Sequence, residues 1–306
     1  MSRIALTLVV CFAAPVHLSA QLIASEPAEV SQTVDGTKVS LQYSRPRARG
    51  RTGLFGTRIR NGEVWTAGAN AATALTLSKD VTINGQAVPK GKYSVWIEIA
   101  PGEWEMILDR DTTLYHTQGP RRRPNQVRFA APREKRPFME VLTWWFPEVS
   151  NTGMTLAMQW DTVYVPLKIA VTPTYTTKVS DEIARPLVGR YQVHMEPMPP
   201  MPVDTTLTTA EPDLPPTDFT FTIRHENGEL RAVMDPPLSK TESGYTDWVL
   251  IPTRRNYYYL GRIDGGQLVE VLDFATLHFN VTGDRATGFE QRLPNDHLMT
   301  TGKRVP

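Results

Sequence analysis

Cysteine is almost missing from this chain: Cys11 is the only one in 306 residues, and it lies in an apolar leader. Past residue 20 there is none, which excludes disulfides, thiolate ligands and thiol nucleophiles from everything that follows. The usual catalytic words are absent too. The sequence has no G-x-S-x-G elbow, no H-E-x-x-H, no S-x-x-K, no phosphate-binding G-x-x-x-x-G-K and no dinucleotide fingerprint. The histidines beyond the leader (His116, His194, His225, His278, His297) stand singly, without metal-ligand spacing. Asp109-Arg110-Asp111 lacks the further carboxylates and the glycine of a calcium loop, and reads as a hairpin turn. No metal and no cofactor is therefore expected. Helical periodicity is nearly absent, and no run past the leader is apolar enough to span a bilayer, so no transmembrane segment is expected once the leader is removed.

The leader itself reads as a signal peptide over 1–20. Arg3 supplies the positive start, 4–16 the apolar stretch, and Leu18-Ser19-Ala20 a small-residue cleavage site. The apolar stretch is short of the ~20 residues a membrane span needs. Val10, ahead of Cys11, is not the small residue a lipoprotein signal wants. Cleavage before Gln21 and a periplasmic or secreted protein are expected.

The remaining length suits two domains. Charge divides between them, with 19 Lys+Arg against 14 Asp+Glu in 24–172, and 13 against 18 in 173–306. Halves of about +5 and −5 hide inside a total of +1. Solvated surfaces, an anion-attracting first half and electrostatic docking of the halves are all compatible with that division.

Apolar and polar residues alternate throughout, as in half-buried strands. Val39, Leu41 and Tyr43 share one phase; Tyr93, Val95, Ile97 and Ile99 another. Met154, Leu156, Met158 and Trp160 precede Val163, Val165, Leu167, Ile169 and Val171, with Pro166 pointing to an edge or a bulge. Asn84-Gly85 is a strong hairpin signal. A β-sandwich or jelly-roll-like domain is expected over 24–172. A linker follows over 173–186, with one helical turn that Ser180 would cap and Pro186 would end. Over 187–306, eight short strands beginning near Val188, Phe219, Leu230, Trp248, Tyr257, Leu268, Leu277 and Gly288 suit an up-and-down β-barrel, whose closure removes exposed edges. The Pro-rich insert 195–216 reads as a long loop between its first two strands.

One stretch stands out. Residues 43–73 carry Arg45, Arg47, Arg49, Arg51, Arg58 and Arg60 among glycines, and end in Trp65 and the Gly68-Ala69-Asn70 turn. Guanidinium groups bind carboxylate, phosphate or sulfate bidentately, and Gly-rich turns add backbone donors. Arg45, Arg51, Trp65 and Asn70 are thus the candidate ligand-binding residues, for a small anion or a sugar stacked on the indole. The same arginines could equally clamp carboxylates of neighbouring strands, and Trp65 could be core. A second basic run, 121–136, reads as a solvated loop.

Tyr43-Ser44-Arg45-Pro46, Gly50-Arg51, Phe55-Gly56, Gly62-Glu63-Val64-Trp65, Gly68-Ala69-Asn70 and Ala72-Thr73 are followed by Ser78-Lys79-Asp80-Val81 and Gly91-Lys92-Tyr93-Ser94. In that order they resemble a secreted bacterial family, the domain of unknown function numbered twenty-nine eleven. The resemblance implies an exported β domain and no chemistry. Members of that family often carry an arginine after the tryptophan, where this chain has Thr66. More loosely, Leu187-Val188-Gly189-Arg190-Tyr191 and Gly288-Phe289-Glu290 resemble the lipocalin-like accessory barrels attached to some bacterial hydrolases.

The reading that follows is an exported, non-enzymatic binding protein. It would take a small anionic or carbohydrate ligand on the first domain and an apolar, lipid-like one in the barrel mouth. Nucleic acid does not suit an exported chain of near-neutral charge without a recognised binding fold. Two alternatives stand beside it: an envelope hydrolase or isomerase using carboxylates, and a structural envelope protein.

Overall fold

The computed structural model describes residues 24–197, 217–237 and 246–306. The expected signal peptide (1–20) and most of the Pro-rich insert (195–216) lie outside the described residues. Strand dominates, as the alternation requires. The only α-helix among the described residues is one short turn, α1 (Asp181–Ala184). Ser180 stands at its N-cap in an extended conformation, but its hydroxyl makes no capping bond.

Two sheets build the first half. The larger runs in the order β1 (Glu26–Val34), β2 (Thr37–Arg45), β4 (Ala74–Leu77), β7 (Gly91–Glu98), β8 (Trp104–Asp109), β9 (Val127–Ala131), with β3 (Val64–Trp65) also on β7. The second is β10 (Glu134–Ser150), β11 (Gly153–Val171), β5 (Val81–Ile83), β6 (Gln86–Val88). Their inner faces share one core, in which Leu41, Val95 and Met106 from the first sheet meet Leu142, Leu156 and Leu167 from the second. Such pairing of two apolar faces is the sandwich solution to a half-buried sheet. Asn84 and Gly85, at φ +48° and +84°, form the expected two-residue turn between β5 and β6.

β11 is one strand where the sequence reads as two. Straight, its nineteen residues would run roughly 60 Å. Instead it bends so far that Val171 donates its backbone N–H to Thr152 at 3.0 Å. The corner is Asp161, which has φ +55° and is only 2% exposed. Pro166 falls between the part of β11 that pairs with β10 and the part that pairs with β5, where its missing N–H costs no ladder bond. The basic run 121–136 is not a loop throughout either: it contains β9 and the start of β10. Arg128 there pairs with Glu105 and, at 3.5 Å, with Glu98, so cross-strand carboxylates absorb its charge.

The second half closes into an eight-stranded antiparallel barrel. In chain order its strands are β12 (Gly189–Met195), β13 (Asp218–Glu226), β14 (Glu229–Asp235), β15 (Asp247–Arg254), β16 (Tyr257–Asp264), β17 (Gln267–Thr282), β18 (Arg285–Arg292) and β19 (Leu298–Val305). β12 pairs with β19 from Arg190↔Val305 to Met195↔Thr300, which makes the ring up-and-down and leaves no gap. The count matches the expectation, but the division differs. The segments around Leu268 and Leu277 form one long strand with an irregularity between its two registers on β16, and the eighth strand is β19.

Candidate functional site

The arginine–glycine stretch leaves β2 and returns through β3, and the structure gives each of its four candidate residues a separate partner. Arg45 reaches from the first sheet to the second, donating from Nε to the Leu142 carbonyl (3.2 Å) and from Nη2 to Thr143 Oγ1 (2.8 Å). Arg51 folds back on its own turn, Nε to the Ala48 carbonyl at 2.6 Å and Nη2 to that of Arg47 at 3.3 Å. Trp65 is 7% exposed, stacks on Trp160 at 5.9 Å and donates its indole N–H to the Gly68 carbonyl at 3.2 Å. Asn70, at φ +61°, donates Nδ2 to the Ser25 carbonyl (3.2 Å), while its own carbonyl accepts the His116 amide (2.8 Å). No partner is common to any two of them.

The turn's backbone donors are in use as well. Arg49 and Gly50, both at positive φ, aim their N–H groups at one carboxylate. That is Glu140, at 2.5 Å through Oε1 and 3.2 Å through Oε2. Leu54 donates its amide to Asp161 Oδ2 at 2.8 Å, and Arg60 donates its own to Glu63 Oε2 at 3.0 Å. An anion-binding concavity of successive amides is thus filled from within by Glu140, a residue of β10. Asp161 Oδ1 is buried without a partner among the described residues. The side chains of Arg47, Arg49, Arg58 and Arg60 are exposed on the outside of the loop. Reasoning from sequence passed over Glu140 and Asp161. The signal for Asp161 was there: the apolar phase shifts from even to odd positions between Trp160 and Val163.

A cavity of different character lies inside the barrel. At the end where β12 and β14 finish and β15 and β19 begin, a cavity of about 200 Å³ is lined by Phe221, Met234, Trp248, Leu277 and Phe289, with Gln291 in its wall. Phe274, 49% exposed, stands at its edge. Among the described residues no ionisable side chain lines it. The polar exceptions are Gln291 and Thr300, partners across β18 and β19, with the Thr300 hydroxyl donating to Gln291 Oε1 at 3.3 Å. The Trp248 indole N–H is buried and has no acceptor among the described residues.

The other end of the barrel is plugged. Arg304 lies across it, with Nη1 donating to the Pro186 carbonyl (3.1 Å), the Tyr191 hydroxyl (3.2 Å) and the Ala286 carbonyl (3.2 Å). Tyr191 in turn donates to the Leu187 carbonyl at 2.7 Å. Burial pushes the Tyr191 phenol up to about 12 despite the opposing Arg304 and Arg285 charges, so it stays a neutral donor. Larger hollows, about 560 Å³ beside Glu148 and Lys168 and about 540 Å³ beside Tyr175 and Glu229, are open and of mixed polarity. Among the described residues no group of three His, Cys, Asp or Glu could hold a metal, and no helix is long and apolar enough to cross a membrane.

Two facing sheets followed by a closed up-and-down barrel make this an all-β protein. Residues 25–169 match the family described as "Protein of unknown function (DUF2911)", and the first half of the chain belongs to that family, in agreement with its sequence words. The matched residues end before β12, so the match does not extend into the barrel. No curated protein and no solved structure matches the chain significantly.

Proposed function

We propose that this chain is an exported, non-enzymatic binding protein whose barrel holds one small apolar molecule. The observation that carries the reading is the cavity of about 200 Å³ walled by aromatic and aliphatic side chains, with its far end sealed by Arg304. Empty apolar space forfeits dispersion contacts that an interior otherwise makes, and an apolar cavity of about 150 Å³ is already enough to bind benzene. Export is supported by the leader sequence, which has the order of charge, apolar run and small residues that a signal peptidase reads.

The test is calorimetric titration of the full chain with toluene and its larger alkyl homologues. Saturable binding of one molecule per chain is expected, together with its loss in Val193→Phe, which fills the cavity from its wall. Equal affinity in that variant, or no binding by the unaltered chain, contradicts the reading.

A second reading, a small anion on the outside of the arginine–glycine loop, is supported by the exposed Arg47, Arg49, Arg58 and Arg60. On that reading inorganic phosphate should bind the full chain, more weakly as salt rises, and Arg47→Ala with Arg49→Ala should abolish the binding.

A further inference from the structure

The barrel's polar groups narrow the ligand class, on the reading that the barrel is a ligand site. Its interior alternates with the outside along every strand, and nearly every inward position around the cavity is apolar. Gln291 is the exception in size and polarity. It is 7% exposed and lines the cavity, yet its carboxamide is only half satisfied. Oε1 accepts from the Thr300 hydroxyl at 3.3 Å, and in this arrangement Nε2 is the free end of the amide. The Nε2 group has no acceptor among the described residues. Trp248 also lines the cavity, and its indole N–H, closed off from solvent, is likewise without an acceptor among the described residues.

A buried amide costs free energy unless it is bonded, so an apolar ligand that ignored Gln291 would seal an unpaired donor against itself. Both free groups are donors, and a donor cannot satisfy a donor. With no Lys, Arg, His, Asp or Glu among the described residues of the lining, a carboxylate or an ammonium would meet no counter-charge from them. We infer that the barrel takes a neutral apolar molecule bearing one hydrogen-bond acceptor, of the ketone, aldehyde, ester or lactone class. Gln291 Nε2 is the group that recognises it.

A matched pair of ligands tests this on the full, unaltered chain. Acetophenone and isopropylbenzene have the same outline, with the ketone oxygen of one replacing a methyl group of the other. Acetophenone is expected to bind on the order of tenfold more tightly, the worth of one buried hydrogen bond gained against one donor left unpaired. Benzoate and 1-phenylethylamine, charged and of similar size, are expected not to bind. In Gln291→Leu the preference between the matched pair should vanish while isopropylbenzene still binds. Equal binding of the pair by the unaltered chain overturns the inference but leaves the barrel as an apolar site. Binding of neither overturns both. A preference that survives Gln291→Leu and disappears in Trp248→Phe transfers recognition from Gln291 to the indole, and overturns the assignment.

Discussion

The buried carboxylate of Asp161 holds the backbone amide of Leu54 at 2.8 Å, tying the corner of β11 to the arginine–glycine loop. Asp161 meets two local demands at once. Aspartate tolerates the left-handed backbone that the corner needs, and its side chain supplies an acceptor for an N–H that would otherwise be buried unpaired. Asp161→Ala should therefore lower the unfolding free energy by about 2–4 kcal/mol, combining an orphaned donor with a residue ill suited to positive φ. Asp161→Asn retains both properties and should cost far less in urea unfolding. Equal losses in the two variants would mean that the corner does not depend on this bond.

Arg45 and Arg47 separate the clamping arginines from the displayed ones. Arg45 bonds two groups of β10 from the end of β2, so Arg45→Ala should cost about 1–3 kcal/mol through the acceptors left behind. Arg47 projects into solvent from the same stretch, and Arg47→Ala should stay within about 0.5 kcal/mol of the parent. Thermal unfolding of the two variants side by side decides the matter. A large loss at Arg47 would show that the loop's outer charges are structural after all.

Acid should loosen the link between the residues preceding α1 and the barrel. Glu229 is pushed up by burial, but hydrogen bonds from Thr177 and Lys178 and the charges of Arg231 and Lys178 outweigh that and hold its carboxyl below its ordinary 4.5. A depressed folded value stabilises the folded form above the unfolded-chain value, and the contribution disappears as pH falls through the folded one. The stability difference between the parent and Glu229→Gln should thus be full above about pH 5 and shrink steadily on acidification below the ordinary carboxylate range. A difference that grows towards acid would contradict the sign of this linkage.

Strand content, the Asn84-Gly85 hairpin and the closed barrel were legible because alternation and turn chemistry are local properties of sequence. Strand division was less so. β17 carries Asp273 and Phe274 at its irregularity, and the polar break makes one strand read as two. β19 contains Gly302, a weak strand former in isolation; the Phe289 ring packs where its Cβ would be, so the need for glycine exists only once β18 and β19 are paired. The arginine–glycine loop was legible as residue types but not as an arrangement. Its amides face Glu140 of β10 and Asp161 at the corner of β11, which are remote in sequence and meet the loop only once the two sheets are assembled. Gln291 and Thr300 were invisible for the same reason, since they become neighbours only in the register of two strands.

On the proposed reading, an apolar molecule rests in the barrel interior rather than on the arginine–glycine loop. Crystals of the full chain equilibrated with bromobenzene test it most directly, because the bromine marks its own position by anomalous scattering. One strong peak is expected inside the barrel, between Phe221, Trp248 and Phe289. No peak there, or a dominant one beside Trp65 and Trp160 in the first half, would contradict it.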